Sequence, residues 1–271
     1  MKTGGAIILF FLIVAVLSPV IAPFSYKEIV SSDLRLPPIW EQSEKTLHIL
    51  GTDDLGRDVF SRIIYGTPVS LFIGFSVVIF SITIGTLLAL IAGTKGGWVD
   101  QIISRVIDIM MSIPSLLLSI VVVAILGPSL QNTIIAVGIT AIPTIFRIVR
   151  AQVIVEMKKN YVIAAKTFGA SWTRIAFGHV LVNCLAPILV QASLGFSEGV
   201  LSAAALGFLG LGAQPPVPEW GAMLSDSRSY LESSPWLVTL PGLCILLVVI
   251  GFNLLGDGLR DYFDPKLRRK S

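Results

Sequence analysis

Long apolar runs recur along almost the whole chain, and they restrict the possible folds more than any other feature of the sequence. Crossing about 30 Å of hydrocarbon takes about 20 helical residues, and backbone facing lipid must form its hydrogen bonds within a helix. Only 14% of the 271 residues are charged, too few to wet a soluble protein of this size. We predict one all-α, polytopic membrane domain over residues 1–271, with six transmembrane helices near 4–22, 69–92, 110–126, 132–150, 187–206 and 236–255.

The first and fourth runs each need a choice between interpretations. Lys2 and Ala22 flank the first run as they would in a cleaved signal peptide, but the run is longer than the usual apolar core of such a peptide, so we favour a retained span. The charge-free part of the fourth run ends at Phe146. We expect Arg147 and Arg150 to snorkel to the headgroups while the helix continues toward residue 157.

The distribution of basic residues predicts the orientation in the membrane, because Lys and Arg near span ends stay on the cytoplasmic side. With both termini in the cytoplasm, most outer basic residues fall in one long periplasmic loop, 23–66, where this rule is weakest. The inner segments, including a long loop at 151–179, then hold Lys2, Lys95, Arg105, Arg147, Arg150, Lys158, Lys159, Lys166, Arg174, Arg260, Lys266, Arg268, Arg269 and Lys270.

The inner loop has the local chemistry of a short helix-turn-helix. Residues 164–167 favour a helix, Gly169 can end it without a Cβ penalty, and Ser171 can cap a second helix. An alternative from the same residues is an amphipathic helix at the membrane surface, anchored by Lys158, Lys159, Tyr161 and Trp172.

Four blocks of sequence connect the chain with a known family. They are GTDDLGRDVFSR at 51–62, Tyr161 with Ala164, Ala165, Gly169 and Ile175, ALGFLGLGAQPP with PEWG at 205–221, and NLLGDGLRD at 253–261 followed by Asp264 and Pro265. The second block resembles the EAA loop of ABC-importer permeases, the cytoplasmic element that docks in a cleft of the ATPase subunit. Together, in this order, the blocks resemble permeases of the peptide and nickel class. Residues 190–197 and 204–210 look closest to the C-type permease subunits of dipeptide importers.

This resemblance implies a type I ABC importer (MetI-like) permease fold in a multi-pass protein of the bacterial inner membrane. It implies import of dipeptides or short peptides by alternating access, with oligopeptides, nickel, haem or antimicrobial peptides as alternative substrates. It also implies four kinds of partner: a homologous B-type permease, two ABC ATPase subunits, a periplasmic or lipoprotein substrate-binding protein, and the lipid bilayer. ATP and Mg would bind the ATPase subunits, with no cofactor on this chain, no enzyme activity of its own and no nucleic-acid partner.

The same resemblance identifies candidate residues for coupling to the ATPase. They are Tyr161, Ala164, Ala165, Lys166, Gly169, Ala170 and Ser171. The chain departs from the family pattern at two places. Ile163 stands where relatives often have an acid, and Val182 stands before Asn183 where they often have Pro. We expect docking to survive with altered polar contacts.

Glu198, Ser202 and Asn183 are candidates for the substrate path. Glu198 is the only acid deep inside a predicted span, where an ionised group costs about 3 kcal/mol on insertion scales, so it should face a pore or a partner helix. Ser202 follows four residues later on the same helical face. The carboxylate could receive the ammonium group of a peptide, or it could simply bond a neighbouring subunit or be protonated.

The acids of the first block have a structural interpretation. The spacing of Asp53, Asp54 and Asp58 does not fit an EF-hand, and we predict pairing with Arg57 or Arg62 or capping of the helix that enters the second span. Trp220 and Trp236 bracket the last outer loop as interfacial anchors would. We predict Asp108 to be interfacial, His48 and His179 to be surface or interface residues, and Cys184 and Cys244 to serve packing.

Several chemical functions lack their sequence signatures. The segment GTKGG at 93–97 does not have the order of a phosphate-binding P-loop. We therefore predict no catalytic residue and no metal ligand, and ATP chemistry must come from another chain. A secondary transporter would need ion-coupling groups at the midplane, for which Glu198 alone is thin support. A membrane-embedded enzyme would need paired acids, His clusters or an activated nucleophile within the spans.

Overall fold

A computed structural model describes residues 2–30, 32–41 and 48–263. Within those residues the chain is almost entirely helical. Its α-helices are α1 (Lys2–Ile21), α2 (Val59–Lys95), α3 (Gly97–Met111), α4 (Ser115–Leu126), α5 (Leu130–Met157), α6 (Asn160–Thr167), α7 (Leu181–Phe208), α8 (Trp220–Ser227) and α9 (Trp236–Phe263), with a π-helix at Arg174–Val180 and a 3-10 helix at Arg228–Tyr230. The predicted block at Asp264 and Pro265 and the basic residues Lys266, Arg268, Arg269 and Lys270 lie outside the described residues.

Five of the described helices are long and apolar enough to cross a membrane: α1, α2, α5, the continuous helix Arg174–Phe208, and α9. The structure differs from the prediction at the third run, 110–126. Helices α3 and α4 meet there at 92°, so they supply a sixth crossing only as one bent pair. Pro114, which has no N–H and restricts the residue before it, stands at the break. Helix α4 alone, at about 18 Å, is too short to span the hydrocarbon.

Contacts between helices define two ends of the bundle. Residue Gly4 of α1 lies against Gly251 and Leu254 near the end of α9, and Trp172, just after α6, bonds Thr94 near the end of α2. We call this the α6 end. The start of α2 and the end of α7 meet α8 at the opposite end, which we call the α8 end. The chain therefore brings its N-terminal helix start, the end of α9 and the predicted coupling segment to the same side.

Small residues let the long helices approach closely, as is usual in membrane bundles. A Cβ on Gly85 of α2 would lie 2.8 Å from Cβ of Ile145 on α5. A Cβ on Gly4 of α1 would lie 2.7 Å from the carbonyl oxygen of Gly251 on α9. Because real Cβ contacts are not that short, these glycines fix the packing of α2 on α5 and of α1 on α9.

The acids of residues 51–62 are bonded as the sequence predicts. Asp58 caps α2, accepting a hydrogen bond of 2.7 Å from the Ser61 N–H, and Asp53 accepts one of 2.6 Å from Arg57 Nε. Arg62, buried to 3% exposure, lies 3.7 Å from Asp226 in α8. Among the described residues, no group of three or more His, Cys, Asp or Glu side chains is placed to hold a metal ion. The hydrogen bonds and ion pairs of residues 51–62 therefore hold the loop against the start of α2 and against α8.

His48 and Trp220 are both buried, contrary to the sequence prediction. The Nδ1 atom of His48 lies 2.9 Å from Asp58 Oδ1, so His48 belongs to the loop that caps α2 and is not a surface residue. Trp220 has 0% exposure and donates a 3.3 Å hydrogen bond to the Ile63 carbonyl oxygen, so it cannot anchor the chain in the headgroups. Its ring packs edge-on against Phe11. Trp236 is partly buried at the start of α9.

The PEWG block, residues 218–221, begins α8 and holds it against α7 at the α8 end. Both carboxylate oxygens of Glu219 accept hydrogen bonds at the start of α8, from the Gly221 N–H at 2.7 Å and the Ala222 N–H at 2.8 Å. A Cβ on Gly221 would lie 2.6 Å from the carbonyl oxygen of Ala204 in α7. The close approach of α8 and α7 therefore requires glycine at 221.

Candidate coupling site and membrane path

The predicted helix-turn-helix is present between α5 and α7. Helix α6 ends at a Schellman turn, in which the Ala170 N–H donates to the Ala165 carbonyl and the Gly169 N–H to the Lys166 carbonyl, each at 3.0 Å. Gly169 has φ 77°, a conformation that suits glycine. Ser171 Oγ then accepts a bond of 3.4 Å from the Arg174 N–H, as a residue that caps a following helix does.

The second arm of this segment runs without a break into α7. Residues Arg174–Val180 form a π-helix that continues as α7, so the second arm and a membrane span are one continuous helix. Trp172 joins the arm to α2: its Nε1 donates a 2.8 Å hydrogen bond to Thr94 Oγ1, and the Lys95 ammonium lies 5.4 Å from the centre of its ring. Trp172 thus packs on the protein, which favours a helix-turn-helix held on the bundle over an independent surface helix.

Most of the predicted coupling residues face outward. Tyr161, Ala164, Lys166, Gly169 and Ser171 are exposed, and Ala165 and Ala170 are half-buried. A Cβ on Gly169 would meet no atom of the described residues within 4 Å. The inner side of α6 is closed by Val162, which has 0% exposure.

Two apolar side chains that the sequence analysis did not select extend this exposed surface. Phe168 is 89% exposed and Ile163 is 51% exposed. A large apolar residue directly before the turn glycine of a basic segment was the available signal for Phe168. Such exposure on a segment outside the spans is typical of an interaction site.

The base of α6 is held by a buried carboxylate that the sequence analysis also missed. Glu156, on the last turn of α5, accepts hydrogen bonds of 2.6 Å from both Lys159 Nζ and the Tyr161 hydroxyl. Burial, followed by the hydrogen bond to the Glu156 carboxylate, raises the pKa of Tyr161 to about 12, so its hydroxyl remains a donor at neutral pH. Asn183 Nδ2 donates to the same Tyr161 oxygen at 3.1 Å.

The three substrate-path candidates do not come together. Glu198 is exposed on α7, and Ser202 is half-buried one turn further along. Asn183 lies on the first turn of α7, fifteen residues or about 22 Å before Glu198, and its bonds connect it with Tyr161. An ionised Glu198 would require another protein surface or water on this face of α7, because lipid would not solvate its carboxylate.

The two arginines of α5 that we expect to snorkel pair with acids of α3. Arg150 Nε and Nη2 each donate a 2.5 Å hydrogen bond to the Asp100 carboxylate, and Arg147 Nη2 lies 2.9 Å from Asp108. Arg150 and Asp100 are partly buried, whereas Arg147 and Asp108 are about half exposed. The bidentate pair satisfies both charges and fixes α3 to the second half of α5.

Comparison with protein families places the chain among transport proteins. The pattern of the family described as "Binding-protein-dependent transport system inner membrane component" matches residues 85–269. The chain belongs to this family. It is therefore the permease subunit of an ABC importer and a multi-pass protein of the inner membrane.

Curated relatives align with nearly the whole permease. The dipeptide transport system permease protein of Alkalihalophilus pseudofirmus is 51% identical over 98% of this chain and 85% of its own length. The di/tripeptide transport system permease protein of Pseudomonas aeruginosa is 49% identical over 97% of this chain and 88% of its own.

A solved structure confirms the predicted permease fold. The chain is similar to one from an inward-facing form of the MetNI methionine ABC transporter, with a TM-score of 0.60, 19% identity, and coverage of 76% of this permease and 98% of that chain. At this identity the likeness concerns the fold alone. That fold places the helix-turn-helix between two spans of a permease bundle.

Proposed function

We propose that this permease imports dipeptides and other short peptides, driven by ATP hydrolysis on separate subunits that dock at residues 160–171. The observation that carries the proposal is the exposed helix-turn-helix. Phe168, at the end of its first helix, is 89% exposed, and its second helix continues directly into α7. An apolar side chain in that position needs a protein surface to cover it.

The peptide substrate is supported by the relatives. Two permeases named for dipeptides and for di- or tripeptides are about half identical to this chain over nearly its full length. Oligopeptides, nickel, haem and antimicrobial peptides are the competing substrates. Glu198, on an open face of α7 beside the half-buried Ser202, is the residue we assign to the ammonium end of a peptide in transit.

The assembly that we propose has a homologous B-type permease beside this one, two ABC ATPases at the α6 end and a substrate-binding protein at the α8 end. ATP and Mg bind the ATPases. Both termini then face the cytoplasm, in agreement with the basic residues near the α6 end, such as Lys158, Lys159 and Lys166. Closure of the ATPases moves α6, and the continuous helix Arg174–Phe208 carries that motion into the membrane as alternating access.

The test is peptide import by the complete complex in proteoliposomes. Gly169→Leu should leave the complex assembled but reduce peptide imported per ATP hydrolysed by about tenfold, because a side chain at φ 77° strains and obstructs the docking turn. The matched control is Gly210→Leu at the α8 end, since Gly210 also has φ 77° and a Cβ there would meet no described atom within 4 Å. Equal coupling ratios in the two variants would refute the docking site.

The substrate assignment has its own measurement. Unlabelled dipeptides should compete with labelled dipeptide import, and nickel or haem should not. Glu198→Gln should change the concentration dependence of import without loss of assembled complex. Import that persists in vesicles without the ATPases would instead favour a secondary transporter.

A further inference from the structure

The carboxylate of Glu156 connects two helices, α5 and α6, at the base of the coupling segment. Glu156 lies on the last turn of α5 and is 1% exposed. Its Oε1 accepts hydrogen bonds from Lys159 Nζ at 2.6 Å and Gln152 Nε2 at 3.2 Å, and its Oε2 accepts one from the Tyr161 hydroxyl at 2.6 Å. The carboxylate therefore reaches from the end of α5 to the first turn of α6.

Tyr161 extends this connection to α7. Its hydroxyl oxygen accepts a hydrogen bond of 3.1 Å from Asn183 Nδ2, and the same amide group donates to the His179 carbonyl at 2.8 Å. The His179 ring also contacts the Tyr161 ring edge-on, with centroids 6.4 Å apart. Glu156, Tyr161 and Asn183 thus form a continuous bonded path from α5 through α6 to α7.

The burial of this carboxylate makes the loss of a hydrogen-bond donor costly. A buried carboxylate that loses a donor keeps the desolvation penalty without the compensating bond. The Lys159 side chain is 48% exposed, and its contribution is weakened by solvent. The Tyr161 hydroxyl is the donor that connects a separate helix, and its bond is short and charge-assisted.

We propose that Glu156 is a positioning residue for energy coupling: it holds Tyr161 so that a displacement of α6 moves α5 and α7 together. The proposal rests on the proposed function, because it presumes that α6 is the docking element. Without the bond between Glu156 and Tyr161, α6 would shift against α5 when the ATPases close. Part of the movement of α6 would then not be transmitted to the spans.

The experiment uses the complete complex in proteoliposomes and measures dipeptide imported per ATP hydrolysed. Tyr161→Phe removes only the hydroxyl, and Glu156→Gln removes the charge and replaces one of the two acceptor oxygens with an amide NH2 group. Each should lower the ratio by about fivefold with normal amounts of assembled complex. The double variant should be no worse than the poorer single variant, because both changes act on the same hydrogen bond between residues 156 and 161. Glu232→Gln, at an exposed carboxylate in the last loop at the α8 end, is the control.

A second measurement separates positioning from simple stabilisation of the fold. Spin labels at the exposed positions Val155 on α5 and Lys166 on α6, in a chain with Cys184 and Cys244 replaced by Ser, report the distance between the two helices. We expect Tyr161→Phe to broaden that distance distribution in the ATP-bound complex and the Glu232→Gln control to leave it unchanged.

The outcomes are distinguishable from those that test the proposed function. If Gly169→Leu uncouples the complex while Tyr161→Phe and Glu156→Gln retain the normal ratio, the positioning role is wrong and the docking site stands. If the two variants only reduce assembly, with a normal ratio in the complexes that form, Glu156 is structural and the proposal is also overturned. If Gly169→Leu has no effect either, both proposals fail.

Discussion

The two ends of the bundle contain similar kinds of residue, but these residues are buried at the α8 end and exposed at the α6 end. Each carries sequence blocks rich in glycine and small residues, a short helix outside the spans, and a large aromatic residue beside it. At the α8 end Trp220 has 0% exposure, and a Cβ on Gly221 would lie 2.6 Å from backbone. At the α6 end Phe168 is 89% exposed, and a Cβ on Gly169 would meet no atom of the residues that the structure describes within 4 Å.

This difference separates two reasons for a distinctive sequence block. The side chains of the PEWG block are explained by contacts inside this chain, since they cap α8, fill its base and permit its approach to α7. Those of the coupling segment are satisfied only on their inner side, through Val162, Tyr161 and Trp172. The outer side is left exposed, as the docking site that we propose requires.

The largest expected effect comes from truncation of the buried aromatic residue at the α8 end. Trp220→Ala should lower the free energy of unfolding by about 3–5 kcal/mol, because it empties a fully buried site and leaves the Ile63 carbonyl with one donor fewer. The measurement is denaturant unfolding in detergent micelles. Trp98→Ala, at a tryptophan that is 76% exposed, is the control and should change stability by less than about 0.5 kcal/mol. Similar losses of stability in the two variants would contradict a stabilising role for the buried Trp220 side chain.

Truncation of the exposed aromatic residue should have the complementary effect. Phe168→Ala should leave the stability of the isolated permease within about 0.5 kcal/mol and weaken association with the ATPase subunits by about tenfold. Retention of the ATPases on affinity-purified complexes measures this. The control is Leu231→Ala, at a 56% exposed apolar residue near the α8 end. Undiminished ATPase retention in Phe168→Ala would remove Phe168 from the docking surface.

Local chemistry made much of this molecule predictable. The apolar runs located the spans, Gly169 and Ser171 marked the turn, and Asp58 was available as a cap for α2. These features depend on residues within a few positions of one another. Pro114 was an available signal for the break of the third run, but the charge-free and mostly apolar composition of 115–126 favoured one continuous span.

Features that depend on distant partners could not be predicted. The burial of Trp220 depends on Ile63, 157 positions away along the chain. Glu156 resembled an ordinary charge at a helix end, because its connection through Tyr161 to Asn183 exists only after α5, α6 and α7 have packed. Exposure of Phe168 is likewise a property of the assembled bundle, since nothing in its neighbours along the chain excludes burial.

The smallest predicted effect tests the polar side of the α8 end. Burial, followed by repulsion from the Asp53 carboxylate, raises the pKa of Asp54. Between the usual and the raised pKa the folded state binds more protons than the unfolded state, so the contribution of Asp54 to stability falls as pH rises through the folded pKa. Asp54→Asn should therefore stabilise the protein slightly at pH 7, and this gain should shrink as pH falls toward about 4. Unfolding measured across that range checks the sign, with Glu232→Gln as an exposed control. A loss of stability at pH 7 that shrank toward acid pH would mean that attraction by Arg57, 3.8 Å away, outweighs burial and repulsion at the Asp54 carboxylate.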